Sequence, residues 1–267
     1  MLKNVTLGQY FPGNTIIHRL DPRAKLIFLI GYIVALFLAK NWSGYALVFL
    51  MLVLVSSLAR IRAKTLLSGL KPLLFIVIFT AVLNLFYGTG EPVARFWGLT
   101  ITEDGLRRAI QMVLRIMLLV CGSFLLTYTT SPLQLTDGME RLLSPLGKIG
   151  VPVGDLAMMM SIALRFIPTL IRETDKIMSA QKARGASFDT GRLRDKAKAM
   201  IPLLVPLFVS AFRRADELAT AMEARCYHGG AGRTKMKTLT FALRDALALL
   251  VCAAMIAAVV LLGTYGF

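Results

Sequence analysis

The sequence predicts an all-α polytopic membrane protein of about five spans, with a cytoplasmic domain of amphipathic helices between the fourth span and the last. Three observations carry that prediction. Hydrophobic residues make up 56% of the 267 and the mean hydropathy is +0.66, above the roughly 50% apolar content of ordinary soluble domains. The excess gathers into runs that approach the ~20 residues a helix needs to cross hydrocarbon. The Lys and Arg residues behind the net charge of +16 are concentrated in alternate connections, the pattern of basic loops kept on one side of a membrane. Three domains follow: an N-terminal segment with spans one to four (1–130), a polar coupling domain (131–238) and the last span (239–267).

Residues 1–25 are polar, hold Gly8, Pro12, Gly13 and Asn14, and end in Asp21-Pro22-Arg23-Ala24-Lys25. Asp followed by Pro is a helix start. The carboxylate accepts free backbone N–H groups, and Pro at the first helical position gives up a donor that had no partner. Apolar runs over 26–39 and 44–59 flank a turn, Lys40-Asn41-Trp42-Ser43, and make a hairpin of two spans. A basic loop with Arg60, Arg62, Lys64 and Lys71 leads to the third span, over 72–87 or from near Leu66. Residues 88–104, with Gly88, Gly90, Glu91, Pro92 and Trp97, form a loop of little net charge. The fourth span covers 105–130, and the final apolar run covers 239–263, long enough to cross with some tilt. With basic loops inside, the N-terminus and 131–238 are cytoplasmic and the C-terminus is outside.

The insert is amphipathic. After a short helix over 132–143, residues 153–183 place Leu156, Met160, Ala163, Ile167 and Leu170 on one stripe and Arg165, Thr169, Arg172 and Lys176 on another, which is helical spacing. Residues 193–226 repeat the pattern. Pro168, Pro202 and Pro206 are expected to kink or bound these helices. No β alternation is visible. Met158, Met159 and Met160 offer either core filling or a repackable partner surface. The small-residue pattern Ala253-xxx-Ala257 and Ala254-xxx-Ala258 suits close packing within the chain or against another.

Several function classes lose support here. The basic balance has a simpler cause in membrane orientation and anionic headgroups than in nucleic acid. Cys121, Cys226 and Cys252 are odd in number and far apart, and His18 and His228 are isolated, so no metal or disulfide framework follows. A lipid-modifying membrane enzyme needs clustered carboxylates or a metal, whereas the 15 acidic residues are scattered and no span interior carries one. Asp216-Glu217, among Arg213 and Arg214, reads as salt bridging along a helix. No phosphate-binding G-x-x-x-x-G-K-[ST] loop is present. A permease subunit of an ordinary ABC importer would carry its own substrate path and a single coupling loop.

The two long helices end alike, in Ala183-Arg184-Gly185 and Ala224-Arg225-Cys226, with Gly229-Gly230 behind the second. Ordinary capping accounts for a cation and a glycine at a helix C-terminus. The functional reading is a guanidinium held on a slim, rigid tip that forks onto a partner's carboxylates. These paired endings resemble the Ala-Arg-Gly motifs of the transmembrane T components of energy-coupling factor transporters. Gly8-Gln9-Tyr10, His18-Arg19-Leu20-Asp21-Pro22-Arg23-Ala24-Lys25, Ala221-Met222-Glu223-Ala224-Arg225-Cys226-Tyr227 and Gly232-Arg233-Thr234-Lys235 extend the resemblance over essentially the whole chain. Cys226 departs from the motif's Gly, so the second helix is open to ending differently.

The resemblance implies a prokaryotic cell-membrane scaffold that joins two cytoplasmic ABC-type ATPases to a small membrane S component capturing a vitamin or metal ion. ATP and Mg then belong to the partner ATPases, this chain binds no cofactor and catalyses nothing itself, and no nucleic acid is involved. Ala183, Arg184, Gly185, Ala224, Arg225 and Cys226 are the expected ATPase-docking residues. The apolar faces around 156–171 and 200–212 are the expected S-component contacts.

Overall fold

A computed structural model describes residues 10–86, 92–96, 99–186, 193–229 and 239–265. The motif positions Gly8, Gln9, Gly88, Gly90, Glu91, Trp97, Gly230 and Gly232 to Lys235 lie outside them. In chain order the elements are α1 (Pro22–Leu38), α2 (Trp42–Leu58), α3 (Ala63–Leu70), α4 (Leu74–Phe86), β1 (Pro92–Phe96), β2 (Leu99–Thr102), α5 (Glu103–Thr129), α6 (Pro132–Leu143), α7 (Val153–Ala183), α8 (Leu193–Glu223) and α9 (Leu243–Thr264). Two compact units emerge, one from described residues of 8–138 and 239–267, the other from those of 139–238.

Helix starts follow local chemistry. Asp21 caps α1, its side chain accepting the Arg23 N–H with Pro22 in the first turn, as the Asp-Pro pair predicts. Ser131 and Gln134 cap α6 reciprocally, each side chain taking the other's backbone N–H at 3.3 and 3.2 Å. The expected third span is two helical pieces: α3 and α4 meet at a 3-10 turn, Lys71–Leu73, where Pro72 removes a backbone donor. Pro168, Pro202 and Pro206 lie inside α7 and α8 instead of ending them. The 88–104 loop holds the antiparallel hairpin β1–β2, paired from Pro92↔Thr102 to Phe96↔Leu99, which no sequence alternation announced. Thr102 ends β2 and caps α5 through the Gly105 N–H.

In the first unit, α1, α2, α5 and α9 enclose the core, with Leu36, Val48 and Val259 wholly buried. Packing is close enough that a Cβ on Gly122 of α5 would stand 2.5 Å from the Tyr32 ring of α1. The Tyr32 hydroxyl donates to the Leu118 carbonyl at 3.0 Å. α9 buries Cys252, Met255 and Val259, whereas Ala253, Ala254 and Ala257 are exposed. Three of the four alanines of the small-residue pattern are therefore exposed on this bundle, and Ala258 is half-buried.

One end of the unit is fastened by charge. The Asp21 N–H donates to Asp245 Oδ1 (2.7 Å), and Asp245 Oδ2 accepts the Ala242 N–H (2.8 Å). Arg23 forks onto Asp21 (2.7 Å for the shortest bond) and reaches the Leu239 carbonyl. Lys25 Nζ donates to Thr129 O (2.9 Å), Thr130 Oγ1 and His18 O. Asp245 is thus a buried carboxylate in the first turn of α9, at the end of the last apolar helix and not in its interior. At the other end, Arg115 of α5 donates to Tyr45 Oη (2.7 Å) and lies over the Phe37 and Tyr45 rings.

These bonds fix a parity. The start of α1, the end of α5 and the start of α9 share one end of the unit. The chain between α5 and α9 therefore leaves and returns on the same side, and crosses a membrane an even number of times or not at all. Among the described residues, four helical stretches are long and apolar enough to cross: Ala63–Leu85, Glu103–Thr129, Val153–Ala183 and Leu243–Thr264. α7 is among them, and parity requires that α8 cross back if α7 crosses.

Candidate docking site: two arginine-tipped helix ends

Both helices of the second unit close with the same hydrogen bonds. At the end of α7, Gly185 N–H donates to Lys182 O (3.0 Å) and Ala186 N–H to Gln181 O (3.0 Å). At the end of α8, Cys226 N–H donates to Glu223 O (2.8 Å) and Tyr227 N–H to Met222 O (3.1 Å). Gly185 has φ +88° and Cys226 has φ +56°, the left-handed conformation that lets a helix cap its last carbonyls. The second helix does not end differently; Cys226 adopts the glycine conformation. A non-glycine residue there costs about 1–2 kcal/mol, which the two closing bonds offset.

This closure places Arg184 and Arg225 at the equivalent position, the last residue before the chain turns away. Ala183, Arg184, Gly185, Ala224, Arg225 and Cys226 are all exposed. No described carboxylate pairs with either guanidinium. A Cβ on Gly185 would meet nothing within 4 Å, so the tip is slim as well as exposed.

The helices run antiparallel. Glu173 of α7 accepts from the Ser210 hydroxyl and from Arg214 (2.9 Å), and the Gln181 amide reaches the Pro202 carbonyl (3.4 Å). Numbers that rise along α7 fall along α8. Continued along the pair, that register sets Arg184 level with about residue 200 of α8 and Arg225 level with about residue 160 of α7. At 1.5 Å per residue, up to roughly 40 Å of helix lies between the two tips. One tip per end can engage two partner sites at once, which one shared tip cannot.

Apolar side chains stay uncovered in the first half of α7 and along the middle of α8. Leu156, Met159 and Met160 are exposed on α7, and Ile201, Leu204, Val205, Phe208 and Phe212 form an exposed row on α8, Phe212 at 74%. An apolar row of that length on a soluble surface marks a partner or a membrane. Sequence spacing marked Leu156 and Met160 of the α7 row, and of the α8 row only Leu204 and Phe208. It missed the Glu173–Arg214 pair, whose signal was a carboxylate, one of two with Asp175, inside the basic half of α7. Among the described residues no group of three or more His, Cys, Asp or Glu is placed to hold a metal.

Comparison with known proteins bears on these ends. A family model described as cobalt transport protein, CbiQ, matches residues 13–238. The energy-coupling factor transporter transmembrane protein EcfT of Brevibacillus brevis is 54% identical over 246 residues, 92% of this chain and 93% of that one. EcfT of Bacillus subtilis is 49% identical over 246 residues, with the same two shares. EcfT of Lactococcus lactis subsp. cremoris is 46% identical over 247 residues, covering 92% and 93%.

Proposed function

The chain belongs to the CbiQ cobalt transport protein family, which takes in the EcfT transmembrane components of energy-coupling factor transporters, and from that premise we propose that it is the membrane scaffold coupling two cytoplasmic ABC-type ATPases to a substrate-capturing S component. The observation that carries the reading is the identical closure of α7 and α8, each presenting an exposed arginine that pairs with no described carboxylate.

Arg184 and Arg225 fork onto carboxylates in a groove of each ATPase, a planar five-donor fit that a lysine does not reproduce. Ala183, Gly185, Ala224 and Cys226 keep the tips narrow. The tips lie at opposite ends of one pair, so a change in ATPase separation pulls on both ends and is borne by contacts such as Glu173–Arg214. The exposed rows on α7 and α8 receive the S component, which brings a vitamin or metal ion. ATP and Mg are held and hydrolysed in the partners, and this chain needs no cofactor. The N-terminus and 131–238 lie in the cytoplasm and the C-terminus outside, in keeping with the parity of the bundle and the basic side it fastens.

The test is copurification from the native host in mild detergent. With Arg184→Ala/Arg225→Ala, ATPase recovery is expected to fall at least ~100-fold, since two lost charge-assisted contacts at ~1.5–3 kcal/mol each exceed that factor. Membrane insertion is unchanged. Wild-type recovery of ATPases with the double variant would overturn the proposal.

A further inference from the structure

A cavity of about 620 Å³ opens in the first unit, between α1, α2, α5 and α9. Its walls are apolar: Phe28 and Tyr32 of α1, Leu54 of α2, Leu125 of α5, Leu247 and Val251 of α9. Leu54, Leu247 and Val251, all apolar and within the helices, are exposed, so the cavity is open along the helices, where hydrocarbon lies. At the fastened end its lining changes to Asn14, Arg19, Lys25 and Arg244.

The charges at that end are unbalanced. Arg19 and Arg244 are exposed and meet no described carboxylate. The two nearest in sequence are already engaged: Asp21 by Arg23, and both oxygens of Asp245 by backbone N–H groups. Lys25 adds charge but spends its donors on Thr129, Thr130 and His18. Two guanidinium groups that meet no described carboxylate, at the mouth of an apolar cleft, ask for an anion with a hydrocarbon tail.

We propose that this cavity binds one anionic phospholipid, its phosphate on Arg19 and Arg244 and one acyl chain between α1, α2, α5 and α9. A methylene occupies about what a water molecule does, ~30 Å³. The cavity thus takes roughly twenty such groups, one acyl chain with its ester and not two. A partner's helix, ~10–12 Å across with its side chains, outgrows that volume within about two turns. Guanidinium recognises phosphate by paired, charge-assisted bonds, so the site discriminates by headgroup charge. The leaflet is the one on the basic side of the bundle, the cytoplasmic leaflet in the orientation proposed above; the chemistry of the site does not depend on the ATPase-docking reading.

The test is native mass spectrometry of the full-length protein released from nanodiscs of mixed phosphatidylethanolamine and phosphatidylglycerol. The expected result is one retained phosphatidylglycerol per chain, preferred about tenfold or more over phosphatidylethanolamine, a difference of ~1.4 kcal/mol. Arg19→Gln/Arg244→Gln brings that preference to parity, while Ala248→Trp fills the cavity and removes retention of either lipid. Both variants keep their helical content and copurify ATPases as wild type does, which separates this site from the docking tips. A wild-type protein that retains no lipid, or retains the two equally, overturns the proposal. So does capture of a polypeptide instead of lipid by a photoreactive residue at Leu247.

Discussion

At the residue scale, the two tips differ in one atom set, the side chain of Cys226 where the other tip has Gly185. Both positions are left-handed, so replacing them moves stability in opposite directions. Cys226→Gly removes the Cβ strain and is expected to steady the α8 end by about 1 kcal/mol, while Gly185→Ala introduces that strain and loosens the α7 end by a similar amount. Hydrogen exchange at Tyr227 N–H and Ala186 N–H reads both changes; equal exchange in wild type and variants would contradict the strain account. The thiol is also a reporter. Cys226 is exposed while Cys121 and Cys252 are buried, so a maleimide is expected to label Cys226 alone, and assembly with the ATPases to block it. Labelling that is unchanged in the assembled complex would place the partner elsewhere. The tips themselves were legible in the sequence because a helix end is written in adjacent residues. Arg115 was not singled out, since a lone arginine in an apolar run shows its purpose only when Tyr45 and the Ala39 carbonyl arrive from other helices.

At the element scale, α1 and α9 are held by the Asp21–Asp245 clasp and by close packing. Replacing Asp245 by Ala leaves the N–H groups of Asp21 and Ala242 without acceptors, at about 1–3 kcal/mol for each one buried; thermal unfolding in detergent should show the loss. The clasp is also pH-dependent. Burial acts to raise the Asp21 carboxyl, but the hydrogen bonds and charge of Arg23, with the charge of Lys25, outweigh it and hold the group below its ordinary value. A lowered folded value means the contribution is complete above the ordinary carboxylate range of about 4 and fades as pH falls through the lowered value. Asp21→Asn should therefore flatten part of the acid limb of the unfolding curve and leave its slope near neutral pH unchanged. Packing makes a further demand at Gly122, where Leu would drive into the Tyr32 ring. Gly122→Leu is expected to cost about 1–3 kcal/mol by overpacking, seen as reduced folded yield.

At the scale of the whole molecule, the bonds that gather the ends of α1, α5 and α9 decide how the membrane is crossed. A reporter active only outside the cytoplasm, fused after Phe267, is expected to be active, and one fused after Leu143 inactive. Activity after both would break the parity. The antiparallel pairing of α7 and α8 is equally global. Each helix carries its arginine at its own C-terminal end, and only the pairing sends those ends apart.

The sequence by itself determined the family, the apolar runs, the helix start at Asp21, and the two arginine tips. All rest on interactions within a few residues: a side chain capping the next turn, a periodicity of 3.6, or the transfer of one continuous segment into hydrocarbon. Tertiary structure decided the rest. It joined Asp21 to Asp245 across nearly the whole chain, turned Ala253, Ala254 and Ala257 of α9 outward, set Glu173 against Arg214, and left a cavity with Arg19 and Arg244 at its mouth. Such pairings depend on which distant segments the folded chain brings together. A local pattern carries no record of a partner that arrives from two hundred residues away.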